Sequence, residues 1–210
     1  MVFVSHSQFA APSVPNTTFA TALKEWAVAV EALCQGKALM LLRKGGIRDR
    51  GENFAVSQRR VWLYPTYEHQ QPELLQSKYA SQVQPVPAGW HPETVPISGW
   101  AEIDCIFPVT DPSALPALEP FHVWNETFVE QRLAWKPQKM LYALVLRSHR
   151  LRQPYELPYR SQYGGCRSWI ELETALKAKP SQPALSQADY EEQVAAIDTQ
   201  FTRSQSAISQ

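Results

Sequence analysis

The stretch Arg43-Lys44-Gly45-Gly46-Ile47-Arg48 sets two glycines among three bases at the end of an aliphatic run. Glycine reaches φ > 0 without steric cost, so successive peptide N–H groups can turn into one concavity that holds an anion. Arg43, Lys44 and Arg48 would add charge, and the two arginines would add forked donors. The order is not that of a nucleotide-binding P-loop, because the lysine precedes the glycines and no G-x-x-x-x-G-K-[ST] occurs. The same residues also suit a hairpin turn with solvated bases. A second block, residues 64–70 (YPTYEHQ), places Thr66, Tyr67, Glu68 and His69 together. Glu68 and His69 are a candidate general-base pair, since imidazole titrates near neutrality. In an extended chain, however, neighbours point to opposite faces, and Thr66 equally suits the N-cap of a helix. A third block, residues 163–169 (YGGCRSW), carries Gly164, Gly165, Cys166 and Arg167 just ahead of Ser168-Trp169-Ile170-Glu171. That S-x-x-E reads as a capping box, and a helix N-terminus there would attract an anion and lower the pKa of Cys166.

Charge is segregated although the chain is neutral overall. Residues 37–60 hold seven bases against two acids, a net of +5; residues 61–131 hold one base against nine acids, −8; residues 132–167 hold eight bases against one acid, +7. Two basic segments bracketing an acidic one make a positive face if folding joins them, and neutralise their neighbours if it does not. The five histidines show neither H-x-x-x-H nor H-E-x-x-H spacing, so neither a metal nor another cofactor is expected. His149 is expected at the exposed end of a strand. The three cysteines, Cys34, Cys105 and Cys166, are far apart in sequence and fit a reducing cytoplasm rather than a disulfide framework. No run approaches the roughly 20 apolar residues of a membrane span, and the first residues lack the basic and apolar regions of a signal peptide.

The elements that must position these groups are read from periodicity. Phe19, Leu23, Trp26, Val30 and Leu33 form one stripe at helical spacing, predicting a helix closed by Gly36. Residues 37–43 (KALMLLR) predict a buried strand. Residues 54–64 predict one or two strands ended by Pro65, and 72–79 one short helix. GWAEIDCIF alternates as a half-exposed strand. Asn125 predicts the cap of a helix through Trp135, and residues 140–151 (MLYALVLRSHRL) a central strand. A helix follows Ser168 and stops at Pro180. A last amphipathic helix over 186–203 repeats Tyr190, Val194, Ile197 and Phe201. Without strict β-α alternation this is an α+β chain with a mixed or mostly antiparallel sheet flanked by helices. The expected organisation is a flexible segment over 1–17, one domain over 18–180, and a linker with an appended helix over 181–210 that can dock a protein partner.

The segments ALKEWAVAVEAL, GKALMLLRKGGIRDRGENF, LYPTYEHQQPELL, RLAWKPQKMLYALVLRSHRL and YGGCRSWIEL together resemble a bacterial, cyanobacterial-type family, the domain of unknown function numbered 1802. The resemblance covers residues 22–172. It implies no activity, ligand or catalytic residue, only that the three blocks belong to one site. More distantly, ALCQGKALMLLR is similar to the opening of PUA-like folds, including ASCH domains that bind RNA or modified nucleosides, a likeness of fold alone. The reading that joins these features is a basic cleft built from Arg43, Lys44, Gly45, Gly46, Arg48, Thr66, Tyr67, Gly164, Gly165 and Arg167. It would bind a phosphate-bearing ligand, nucleic acid foremost, with Trp62, Tyr64 or Tyr67 stacking on a base. The alternatives are a hydrolase at the same cleft, with Glu68 or His69 as base, and a non-catalytic assembly protein.

Overall fold

The computed structural model of the chain describes residues 17–44, 49–50, 53–54, 59–165 and 167–208. Gly45, Gly46, Arg48 and Cys166, named above as site residues or candidates, lie outside the described residues. The chain begins with β1 (Thr18–Trp26), which passes directly into α1 (Ala27–Cys34), and β2 (Met40–Lys44) follows. A two-residue ribbon, β3 (Asp49–Arg50) with β4 (Asn53–Phe54), precedes β5 (Arg60–Thr66). A 3-10 turn, Pro72–Leu74, and the short α2 (Ser77–Ala80) lead to β6 (Thr94–Pro108). The 3-10 helix Pro112–Phe121 and α3 (Glu126–Ala134) lead to β7 (Leu141–Pro158). The chain closes with β8 (Trp169–Lys177), β9 (Ser181–Pro183) and α4 (Gln187–Ile208).

The fold is α+β. Its main sheet has the order β2-β7-β6-β5-β1-β8, with β9 added on β7. Within it β1 and β5 run parallel and the other pairs antiparallel, which makes the sheet mixed and mostly antiparallel. Each face carries a core. The larger joins α1, α3, α4 and the 3-10 helix to the sheet, and the smaller gathers Phe19, Trp62, Trp100, Ile97 and Ile170 on the other side.

One expected helix is a strand throughout, and another is a strand in its first half. Phe19, Leu23 and Trp26 do not share a helical face, because β1 replaces the first half of that helix. A bulge between Phe19 and Thr21 shifts the alternation, so that Phe19 and Ala22 face the smaller core and Leu23 the larger. With both faces buried, the strand shows no period-2 pattern in its sequence, and tertiary pairing overrides a weak helical preference. The capping box at Ser168 opens no helix. Ile170 and Leu172 are buried while Glu171 and Glu173 are exposed, the period of a half-buried strand. The short helix expected over 72–79 is divided at Leu75, which pairs with Trp124. Pro65 does not end β5. The pairing with β6 stops at Trp62, so Pro65 sits where only β1 pairs, on an edge that tolerates a missing N–H. The Asn125 cap forms as expected, its side chain accepting from the Phe128 N–H at 3.1 Å.

The last helix is not a free docking element. Tyr190, Val194, Ile197 and Phe201 are buried in the larger core. Phe201 stacks on Phe107 at 4.6 Å, and the Tyr190 hydroxyl donates to Asp104 at 3.0 Å. The stripe expected to receive a partner is covered by the chain's own β6 and by the 3-10 helix Pro112–Phe121. His149 likewise departs from its expected exposed position. It lies inside β7, 3% exposed, with its ring parallel to Trp100 at 4.0 Å. Burial, and then Arg147 and Arg60 against the opposite pull of Glu102, lower its pKa from 6.5 to about 4.

Ile197 is fully buried. Ile197→Ala is therefore expected to cost about 2–5 kcal/mol in urea unfolding, whereas a peripheral helix would lose a few tenths. For His149 the folded pKa lies below the unfolded one, so between pH 6.5 and about 4 the unfolded chain binds more protons. Its contribution is complete above pH 6.5 and is lost as pH falls, by about 3 kcal/mol at full protonation. His149→Phe, which keeps a stacking ring, is expected to flatten the fall of the urea midpoint over that window. An unchanged pH profile would show that His149 is not held neutral.

Candidate functional site

The carboxyl end of β1, Lys24-Glu25-Trp26, is where the separated blocks meet. Glu25 is 8% exposed and points into the larger-core face. Its carboxylate pairs with the Arg43 guanidinium at 2.7 Å and accepts from the Trp26 N–H at 2.8 Å. Arg43 lies on β2, one edge of the sheet. It also donates to the Lys24 carbonyl and, at 3.2 Å, to Ser168 Oγ just before β8, the other edge. One guanidinium thus bridges the two edges, which requires the sheet to curl until they approach at this end. Arg43 Nε is buried with no partner among the described residues.

Lys44 points away from this cluster. It is 8% exposed, and its ammonium donates to the carbonyls of Arg132 at 2.9 Å and Leu133 at 2.8 Å, in the last turn of α3. A cation there satisfies carbonyls that the helix leaves open and complements its negative end. Arg132, half-buried, has its pKa lowered by burial, raised by Glu25 and lowered by Arg43. Arg43 pairs with Glu25 directly, and Arg132 feels the charge of both from farther off.

On the smaller-core face, Lys24 donates to the carbonyls of Tyr163 and, at 2.9 Å, Gly165. The Gly-Gly turn thus shows carbonyl oxygens, not N–H groups, to its charged neighbour. The Gly164 N–H is taken by Ser161 and the Arg167 N–H by Gly165. Gly165 is favoured by its φ of +72°, and a Cβ on Gly164 would crowd the Tyr159 hydroxyl at 2.9 Å and the Ser161 carbonyl oxygen at 3.0 Å. Because Ser168 precedes a strand, no helix dipole acts at Arg167, whose side chain is exposed.

Thr66 is no helix cap. Its hydroxyl donates to the Glu25 carbonyl at 3.0 Å, at the last register of the parallel pair. The turn that follows gives His69 φ +63° and brings it to 3.2 Å from Glu68, so these neighbours do meet. Glu68 also accepts from the Gly89 N–H at 2.6 Å, and His69 is 70% exposed. Gln70 caps α1 by accepting from the Val28 N–H at 3.1 Å. Tyr67 lies edge-on to Trp90 at 5.8 Å, and burial, followed by Glu156 and Glu31, raises its pKa. Tyr64 is 3% exposed, its hydroxyl without a partner among the described residues, and Trp62 is fully buried against Phe19, so neither can stack on a ligand.

Sequence reasoning overlooked Arg132, Trp135 and Lys136 as a functional group. Trp135 ends α3 and is exposed, and Lys136, at φ +47°, turns the chain before Pro137. Lys136 Nζ lies 4.4 Å from the Trp135 ring centroid and the Arg132 guanidinium 5.9 Å from it. The available signal was the R-x-x-W-K run, two cations on either side of an indole at helical spacing. Among the described residues no cluster of three or more metal-ligating side chains occurs, and no helix is long and apolar enough to cross a membrane.

The chain belongs to the family described as Domain of unknown function (DUF1802), whose model matches residues 22–196. No curated protein matches significantly. Among solved structures it is similar to an ASCH protein from Zymomonas mobilis. Two mutant forms show 16% and 14% identity with TM-scores of 0.43, covering 73% of this chain and 87% and 89% of theirs. A third structure of ASCH from the same organism shows 17% identity and a TM-score of 0.40, covering 73% of this chain and 87% of its own.

Removing Arg43 leaves a buried carboxylate without its cation. Arg43→Met is expected to cost about 3–5 kcal/mol, read as a lowered urea midpoint, and adding Glu25→Gln is expected to recover part of that loss. Strict additivity in this double-mutant cycle would show that the two groups are not coupled.

Proposed function

We propose that the protein binds a phosphate-bearing ligand, nucleic acid foremost, on the basic surface around the carboxyl end of β1. The observation that carries this reading is a gathering of cations around one carboxylate: Arg43 pairs with Glu25, the Arg132 backbone is held nearby by Lys44, and Arg43 Nε has no partner among the described residues. Half-buried cations in excess of their counter-charges are attractive to an anion, and guanidinium groups suit phosphate oxygens best. Lys44 is occupied by the end of α3 and serves the site by holding Arg132 and Leu133 in place. Exposed Arg167, with Lys136 and Lys139, adds positive charge to this reading. Thr66, Gly164 and Gly165 position β1 and its neighbours, and Tyr67 is the remaining partly exposed aromatic group of the cleft expected from the sequence. Gly45, Gly46 and Arg48 belong to the same reading through the segment that leaves Lys44. The hydrolase alternative has weaker support, since Glu68 is engaged by the Gly89 N–H.

The test is binding of a fluorescein-labelled sixteen-residue oligouridylate, followed by anisotropy between low and physiological salt. The expected result is an affinity that falls as salt rises. In Arg132→Gln and Arg167→Gln the affinity is lower, and the logarithmic salt slope is smaller by about 0.7 for each phosphate no longer neutralised. Failure to bind at low salt, or binding indifferent to salt, would overturn the proposal.

A further inference from the structure

We infer that Trp135 is a base-stacking subsite, and that the ligand of the basic surface is accordingly a single strand. The inference rests on the phosphate-binding reading and specifies its ligand. Trp135 is 45% exposed at the point where α3 ends, and Met140, 42% exposed, lies five residues beyond. Several other tryptophans lie against rings of the chain's own, as Trp62 does on Phe19, Trp100 on His149 and Trp26 on Trp124. The Trp135 indole is instead contacted by cations, Lys136 at 4.4 Å and Arg132 at 5.9 Å.

Arg132 connects this indole to the cations of β2, because its side chain lies against Trp135 while its carbonyl is held by Lys44, the neighbour of Arg43. The backbone of α3 is fixed to β2 at that point by Lys44. An aromatic face and a set of cations held on one rigid joint match what a single strand presents, a row of phosphates with bases free to turn outward. A duplex hides those faces inside its own stack and offers only edges and backbone. The contact of an exposed ammonium with an indole is weaker than that of a stacked base. A base arriving on Trp135 therefore displaces Lys136, which is then free to meet the adjoining phosphate. An anionic membrane fits the patch less well, since exposed Glu126 and Glu130 project from the same helix.

The experiment measures anisotropy of labelled oligouridylate and of a duplex of equal length with wild type, Trp135→Ala, Trp135→Phe and Arg132→Gln, each checked for an unchanged circular dichroism spectrum. Trp135→Ala is expected to weaken single-strand binding at least about fivefold, Trp135→Phe to restore most of it, and the duplex to bind both variants as it binds wild type. If Trp135→Ala binds like wild type while Arg132→Gln loses affinity, the subsite is wrong and the phosphate reading stands. Equal weakening for strand and duplex also overturns the subsite. Retention of no oligonucleotide at low salt overturns both readings. Trp135-dependent binding to phosphatidylglycerol vesicles, without oligonucleotide binding, assigns the patch to a membrane and overturns the inference.

Discussion

The ion pair between Glu25 and Arg43 is the constraint on which this end of the molecule depends. A buried carboxylate is tolerated only with a cation and hydrogen bonds around it. Glu25 has both, but the cation comes from the far edge of the sheet and brings with it Ser168 from the opposite edge. Sheet curvature, the end of β1, the entry to β8 and the anchoring of β2 are thereby tied to one guanidinium. Thr66, bound to the Glu25 carbonyl, and Gln70, capping α1, attach the 64–70 block to the same place. The three blocks that stood out in the sequence converge in space because each donates to, or accepts from, the last residues of β1 or the first turn of α1.

That convergence changes what the individual groups can do. Lys24 and Lys44 are both tied to backbone carbonyls, so Lys44, a cation singled out in the sequence, holds the frame. Arg43 divides its donors between a carboxylate, a carbonyl and a hydroxyl. The charge that faces outward belongs to Arg132, Arg167 and the lysines beyond Trp135. A basic residue next to a glycine turn was easy to see in the sequence, but a lysine reaching a helix end some ninety residues away was not.

The elements were legible where one local pattern dominated. Residues 140–151 read as a central strand and lie in β7, and Asn125 caps α3 because the short side chain and the following turn decide that geometry alone. Where two patterns competed, the more local one misled. Ser168-x-x-Glu171 is a good capping box, yet Ile170-Glu171-Leu172-Glu173 alternates with period 2, and the open side of β1 needed a strand. Phe19, Leu23 and Trp26 read as a helix because a bulge moved one of them to the other face, which no spacing rule registers. Charge segregation was legible, but which cations turn inward was not, since that depends on which carbonyl each long side chain reaches.

The pairing of β1 with β8 joins Thr21 to Glu171, residues 150 positions apart. Contacts of such long sequence separation form late, after much of the loop entropy between them has been given up, and they slow folding. During synthesis the first strand therefore waits, with one side unpaired, while almost the entire remaining chain is made, and an unpaired strand edge is a hazard for association with other chains. The end of β1 where the three blocks meet is therefore incomplete on a short nascent chain. It forms only when Trp169–Lys177 has left the ribosome and closed the sheet.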